Sequence, residues 1–328
     1  MGELHVALAQ LAPCWLDRAG TLARVCQAIA AAGADQARLV CFGEAFVPGY
    51  PFWLEHTDGA RFESPLQQRL FAHYADQAVR IERGDLDPVC DAARDQRCWV
   101  VLGIIERPAE RGGHSLYASA VTIDDGGQIR NVHRKLMPTY EERLVWSPGD
   151  GHGLQTFQID GFTLGSLNCW ENWMPLARTA LYAQGVDVHV ALWPGNVRNT
   201  ELITRCIALE GRAYALSVGA LWDPTLIDPA LPEADTLQRC LQQASADGGS
   251  CIAAPDGQWL LEPQAGEARL LTATLEAAAI RRARQNFDPC GHYSRPDVLQ
   301  LQVNRSRQVS AVFDDSASGR TGDAAEEP

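Results

Sequence analysis

Short, mostly apolar runs recur along the chain at residues 5–10, 38–42, 99–105, 117–123, 162–167, 186–192 and 214–221. Several are apolar at nearly every position rather than at every second one. That pattern predicts strands covered on both faces. Residues 128–132 read as a further strand. Helices are predicted between the runs. Residues 21–32 are Ala-rich and are expected to stop at Gly33. Ser64 and Pro65 read as an N-cap followed by proline in the first helical position. Leu66, Leu70, Tyr74 and Ile81 then follow near-helical spacing. Residues 175–183 end before Gly185, a natural C-cap. Leu202, Ile203, Cys206, Ile207 and Leu209 mark another buried stripe.

Helices alternating with doubly buried strands predict a layered α/β fold. Two stretches break the alternation. Residues 223–233 are rich in Pro and Asp and are expected to form a surface loop. Residues 305–328 turn to Ser, Gly, Asp and Glu after Val309, Val312 and Phe313. Their last dozen or so are expected to be disordered. No linker and no internal repeat is visible before them. The expected organisation is one domain over 1–304 and a tail over 305–328.

The chain has 328 residues, 46% of them hydrophobic, which is ample for a large core. Its formal charge of −13 disfavours nucleic acid and anionic membranes as partners. No apolar run approaches the roughly 20 residues of a membrane helix. Met1 to Leu4 lead straight into Val6–Ala9 with no basic leader, so a cytoplasmic location is expected. The 10 cysteines are scattered without any CxxC pair, which removes zinc-ribbon spacing. Reduced thiols are expected, most of them small core residues. Cys41, Cys98, Cys206 and Cys251 fit that role.

Three polar side chains stand where apolar runs end. Glu44 follows Leu39-Val40-Cys41-Phe42 and precedes aromatics and prolines. Partial desolvation there would raise its pKa and favour general-base work. Lys135 lies in His133-Arg134-Lys135-Leu136-Met137-Pro138-Thr139-Tyr140 and could stabilise developing negative charge. One of the acids at 141 and 142 could hold it. Cys169 ends the run 162–167 in Asn168-Cys169-Trp170-Glu171-Asn172. A thiol attacks only as the thiolate and needs a base. His133, His152 and His189 are open as partners in a Cys–His pair. Taken singly, each group also reads as a loop acid, a basic turn and a core thiol.

Taken together, the order Glu, Lys, Cys at strand ends resembles the nitrilase superfamily, and within it the nitrilase branch. The glutamate motif is Phe42-Gly43-Glu44-Ala45-Phe46-Val47-Pro48-Gly49-Tyr50-Pro51. The lysine motif is His133 to Thr139 with Glu142-Arg143, then Trp146 and Gly149-Asp150-Gly151. The cysteine motif is Asn168-Cys169-Trp170-Glu171-Asn172-Trp173-Met174-Pro175-Leu176. Gly291-His292-Tyr293-Ser294-Arg295-Pro296-Asp297 is similar to a C-terminal segment of the branch. The likeness spans about residues 4–303. It departs at His152, where the branch often has Ser, and in the variable stretch Phe52-Trp53.

The resemblance implies an α-β-β-α sandwich. It implies Glu44 as general base, Lys135 as stabiliser of tetrahedral states, Glu142 as second carboxylate and Cys169 as nucleophile. The activity implied is hydrolysis of a small-molecule nitrile to the carboxylic acid and ammonia, with no metal or organic cofactor. A homodimer building into larger homo-oligomers or spirals is implied as well. Trp53, Tyr140, Trp170 and Trp193 are expected to line an aromatic-tolerant pocket. Glu171 and Asn172 are expected to fix the turn after Cys169. Rival readings are an amidase or carbamoylase, a cyanide-degrading enzyme, and an inactive ligand-binding homologue.

Overall fold

A computed structural model describes residues 2–244 and 246–312. The first half runs β1 (Glu3–Gln10), α1 (Arg18–Ala34), β2 (Leu39–Cys41), α2 (Trp53–His56), α3 (Pro65–Gln77), α4 (Asp87–Gln96), β3 (Trp99–Glu106), β4 (Tyr117–Ile123) and β5 (Ile129–Arg134). The second runs β6 (Phe157–Ile159), β7 (Phe162–Asn168), α5 (Pro175–Tyr182), β8 (Val188–Trp193), α6 (Val197–Gly211), β9 (Tyr214–Gly219), α7 (Ala234–Cys240), β10 (Gly248–Ala253), β11 (Trp259–Ala265), β12 (Arg269–Glu276) and α8 (Ala277–Arg284).

The strands form two six-stranded sheets, ordered β12-β1-β2-β3-β4-β5 and β11-β10-β9-β8-β7-β6. β1, β2 and β3 are parallel, as are β7, β8 and β9. The outer strands join antiparallel. Each half therefore repeats one backbone plan: three parallel strands, then two antiparallel ones. The sequence showed no repeat because this duplication lives in the backbone and not in side-chain identity.

Alternation along each strand builds the layers. Leu4, Val6 and Leu8 of β1 meet Val188, Val190 and Leu192 of β8 in a core between the sheets. Ala7 and Ala9, on the other face of β1, share a second core with Val25 and Ile29 of α1 and Val89 and Ala93 of α4. Ala191 and Trp193, on the other face of β8, pack with Ile203 and Ile207 of α6. The result is helix, sheet, sheet, helix. Both faces of the central strands are covered, which is why those strands read as continuous apolar runs.

Several predicted boundaries shift. α1 does not stop at Gly33 but runs to Ala34. Gly33 is a packing residue: a Cβ there would come within 2.3 Å of the Gln96 side chain on α4. β11 and β12 went unread because most of their positions are partly covered or exposed, with only Leu271 and Leu275 of β12 buried. The loop 223–233 is anchored by the buried Ile227 and Leu231. All 10 cysteines are free, and Cys206 is only half-buried. No helix among the described residues is long and apolar enough to cross a membrane. The start of the tail folds back on the body: Arg307 pairs with Asp150 at 3.0 Å and donates to the Val132 carbonyl at 2.9 Å. The dozen residues predicted to be disordered lie outside the described residues.

Candidate active site

The three candidate residues sit just beyond the carboxyl ends of β2, β5 and β7, where α/β sheets present their chemistry. Glu44 follows β2 in one sheet. Its N–H donates to the Trp193 carbonyl at the end of β8 in the other sheet, at 3.1 Å. The two sheets thus close on each other here. Gly43 allows this: a Cβ at that position would lie 2.6 Å from the Trp193 carbonyl oxygen. Lys135 follows β5. Cys169 follows β7 in a left-handed conformation, φ 49°. Such backbone is uncommon outside glycine and is held only by its surroundings.

Glu44, Lys135, Glu142 and Cys169 are all buried, with exposures of 1, 1, 1 and 2%. Lys135 Nζ lies 2.6 Å from Glu142 Oε2 and 2.8 Å from Glu44 Oε1. The Lys135–Glu142 contact is a true hydrogen bond. The approach to Glu44 is a longer ion pair, and the Cys169 thiol is the other side chain placed to bond the Glu44 carboxylate. One oxygen from each acid and the Cys169 sulfur all lie within 4.8 Å of one another. Glu142 is also bound by Tyr50 Oη at 2.9 Å and by Thr139 N–H at 2.6 Å. It is therefore fixed on three sides, whereas Glu44 is free to exchange a proton.

Burial pushes the Glu44 carboxyl up to about 7; the Glu142 charge adds to this and Lys135 opposes it. Burial also raises the Cys169 thiol well above its ordinary value, the Glu44 charge reinforcing and Lys135 opposing. Burial works against the Lys135 ammonium, but the charges of Cys169, Glu44 and Glu142 outweigh it and keep the lysine protonated. The arrangement holds a permanent cation beside a thiol and a carboxylate that compete for one proton.

The histidines open as thiol partners are committed elsewhere. His133 Nε2 contacts both Glu171 oxygens, at 3.1 and 3.0 Å. His189 Nε2 contacts Asn172 Oδ1 at 2.7 Å, and burial lowers its pKa to about 3. His152 contacts the Arg305 carbonyl. The titratable groups beside the sulfur are instead the carboxylates of Glu44 and Glu142.

A cavity of about 420 Å³ opens onto Cys169, with Tyr50, Phe52, Glu142, Trp170 and Arg198 among its walls. Trp170 is the one predicted aromatic in this lining. Tyr140 is 82% exposed and lines an adjoining groove with Leu54 and Leu144. Trp53 packs edge-on against Trp15 and Tyr74 in the core. Trp193 is buried and donates to Ser217 Oγ at 3.1 Å. Sequence reading missed Tyr50 as a partner of Glu142, although it stands in the Gly49-Tyr50-Pro51 turn. It also missed Arg198 and Asn199 at the start of α6, for which no local signal exists.

The carbon-nitrogen hydrolase family matches residues 5–285. A nitrilase from Pseudomonas syringae pv. syringae is 37% identical, covering 92% of this chain and 90% of its own. An aliphatic nitrilase from Rhodococcus rhodochrous is 34% identical, covering 92% and 82%. An arylacetonitrilase from Aspergillus niger is 33% identical, covering 92% and 89%. In fold, the chain is similar to Saccharomyces cerevisiae Nit3, a member of the nitrilase superfamily, with a TM-score of 0.70 over 89% of this chain and 97% of that one, at 18% identity. With two six-stranded sheets in a four-layer sandwich and a match over nearly its whole length, the chain belongs to the carbon-nitrogen hydrolase family, whose members act on carbon–nitrogen bonds.

Proposed function

We propose that this enzyme hydrolyses an organic nitrile to the carboxylic acid and ammonia. The observation that carries the reading is the buried set itself: a thiol, a carboxylate beside it and a pinned ammonium in one cluster at the base of the cavity that opens onto Cys169. Nitrilases among the relatives support the choice of nitriles over other carbon–nitrogen substrates.

In this reading Glu44 takes the Cys169 proton and the thiolate attacks the nitrile carbon. Glu44 returns that proton to nitrogen, giving a thioimidate. One water adds, its proton again taken by Glu44, and the nitrogen leaves as ammonia, giving a thioester. A second water releases the acid and restores the thiol. Two waters are consumed for one acid and one ammonia. Lys135, held by Glu142, faces the negative charge that develops at each tetrahedral stage. Trp170 N–H, next to the nucleophile, is a second donor. Trp170 borders the substrate, and Tyr140 lies at the approach to the cavity. Trp53 and Trp193 support the pocket from behind.

The proposal extends to a catalytic domain over 1–304 and a homodimer that builds into larger homo-oligomers or spirals. Residues 223–233 and 288–297 are the candidate contacts. The exposed Tyr293 within the second supports this. Sedimentation should show association, and a concentration-independent monomer would sink it. The location proposed is cytoplasmic, checked by cell fractionation. The activity is tested by ammonia and product analysis on aliphatic, aromatic and arylaceto-nitriles with their amides. Acid should dominate. Amide as the main product throughout would indicate a hydratase, and turnover of amides alone would indicate an amidase.

A further inference from the structure

Glu171 is buried in a turn that its own position does not fully explain. A glutamate three residues into a helical turn commonly reaches back to the N–H of the capping residue. Glu171 does so: Oε2 accepts from Asn168 N–H at 2.8 Å. Its other oxygen leaves the turn and accepts from Leu136 N–H at 2.6 Å. Asn168 directly precedes Cys169, and Leu136 directly follows Lys135. One carboxylate thus ties the backbone beside the nucleophile, at the end of β7, to the backbone beside the ammonium, at the end of β5. These strands belong to different sheets. His133 Nε2 faces both oxygens and completes the set. His133 is seated against Gly153, where a Cβ would come within 2.8 Å of the ring nitrogen Nδ1 and closer still to the His133 backbone. Burial alone would raise the Glu171 pKa, but His133 and the two backbone donors hold it below the usual carboxylate range.

We infer that Glu171 is a positioning residue that sets the placement of Lys135 relative to Cys169, and through it the ratio of acid to amide released. The inference rests on the nucleophilic role proposed for Cys169. The tetrahedral intermediate carries both nitrogen and sulfur. Ammonia departs when nitrogen is protonated and the charge on oxygen is held by Lys135. If Lys135 and Cys169 are misaligned, sulfur departs first and the amide is released. A displacement of about 1 Å can cost about 100-fold in rate.

Glu171→Gln has one acceptor oxygen and an amide N–H₂ that cannot accept, so one of the two backbone links breaks. Glu171→Asp keeps the charge opposite His133 but is too short to hold both links. Each variant is expected to lower kcat by about 100-fold with KM within about threefold of wild type, and to raise the amide fraction. Cys169 labelling by iodoacetamide should slow in both. A folded Glu171→Asp with wild-type kcat, product ratio and labelling rate overturns the inference, whether or not Glu171→Gln folds. Labelling needs no nitrile. If the wild type hydrolyses none, slowed labelling of Glu171→Asp still supports the clamp, and unchanged labelling removes it.

Discussion

Arg134 and Lys135 are adjacent, both buried and both paired with carboxylates, yet the two ion pairs are built to opposite ends. Arg134 meets Glu106 with its fork, Nε to Oε2 at 2.9 Å and Nη2 to Oε1 at 2.7 Å. Ser119 adds a donor at 2.8 Å, and Arg134 also contacts Glu110. Every Glu106 oxygen is occupied. Lys135 is a single point of charge between Glu44 and Glu142, and the Glu44 carboxylate faces only this shared ammonium and the Cys169 thiol among the described side chains. A planar guanidinium saturates a carboxylate, whereas an ammonium shared by two leaves one reactive. Saturation makes a pair structural. An open acceptor in a dry site raises the pKa and leaves the proton free to move.

The comparison breaks most visibly at the sulfur. Cys169→Ala should keep the fold and lose turnover by on the order of 10⁶-fold, with no covalent adduct in mass spectra of a slowly hydrolysed substrate. Full activity in that variant would end the covalent reading. Glu44→Gln should cost about 10²–10⁴ in kcat, since the base is lost while shape is kept.

Arg134→Met tests the other side. It strands Glu106 and should destabilise the protein by about 3–5 kcal/mol in denaturant melts, with kcat per folded molecule near wild type. A large kcat loss without a stability loss would erase the distinction between the two pairs.

The pH dependence sharpens the contrast further. With Glu44 raised to about 7, kcat/KM should climb as pH rises through neutrality and the base ionises. For stability the sign is opposite. The folded state holds this proton more tightly than the unfolded state, so the contribution is fully present below the ordinary carboxyl pKa of 4.5 and is lost as pH rises through about 7. Glu44→Gln should remove that slope, and an unchanged slope would assign it to another group. The smallest effect is expected from truncation after residue 310, which keeps the Arg307–Asp150 pair: a melting shift equivalent to within about 0.5 kcal/mol, with aggregation as the contrary result.

Much of the site was legible because three reactive side chains interrupt apolar runs. A nucleophile or an acid at the end of a buried strand breaks a local pattern, and the pattern is readable one residue at a time. Trp53 and Trp193 show the limit. Both are large aromatics near the motifs, but the side of the backbone they take is a matter of packing. In β8 the parity that sends Val190 and Leu192 between the sheets turns Trp193 toward α6. Arg198 reaches the cavity wall only because α6 begins beside it. The pairing of Glu171 with Leu136 spans 35 residues and leaves no local trace.

The sequence by itself determined the layering, because burial on both strand faces demands a continuous apolar run and helices to cover it. It also determined that glutamate, lysine and cysteine end such runs. Tertiary structure alone decided which carboxylates His133 and Arg134 meet, Glu171 for the one and Glu106 with Glu110 for the other, whereas an acid at 141 or 142 beside Lys135 was already expected from the chain. Hydrophobic burial is periodic and local, so a chain displays it along its length. The partner of a buried charge is set within a few tenths of an ångström by how two distant sheets come together, and only the assembled fold fixes that distance.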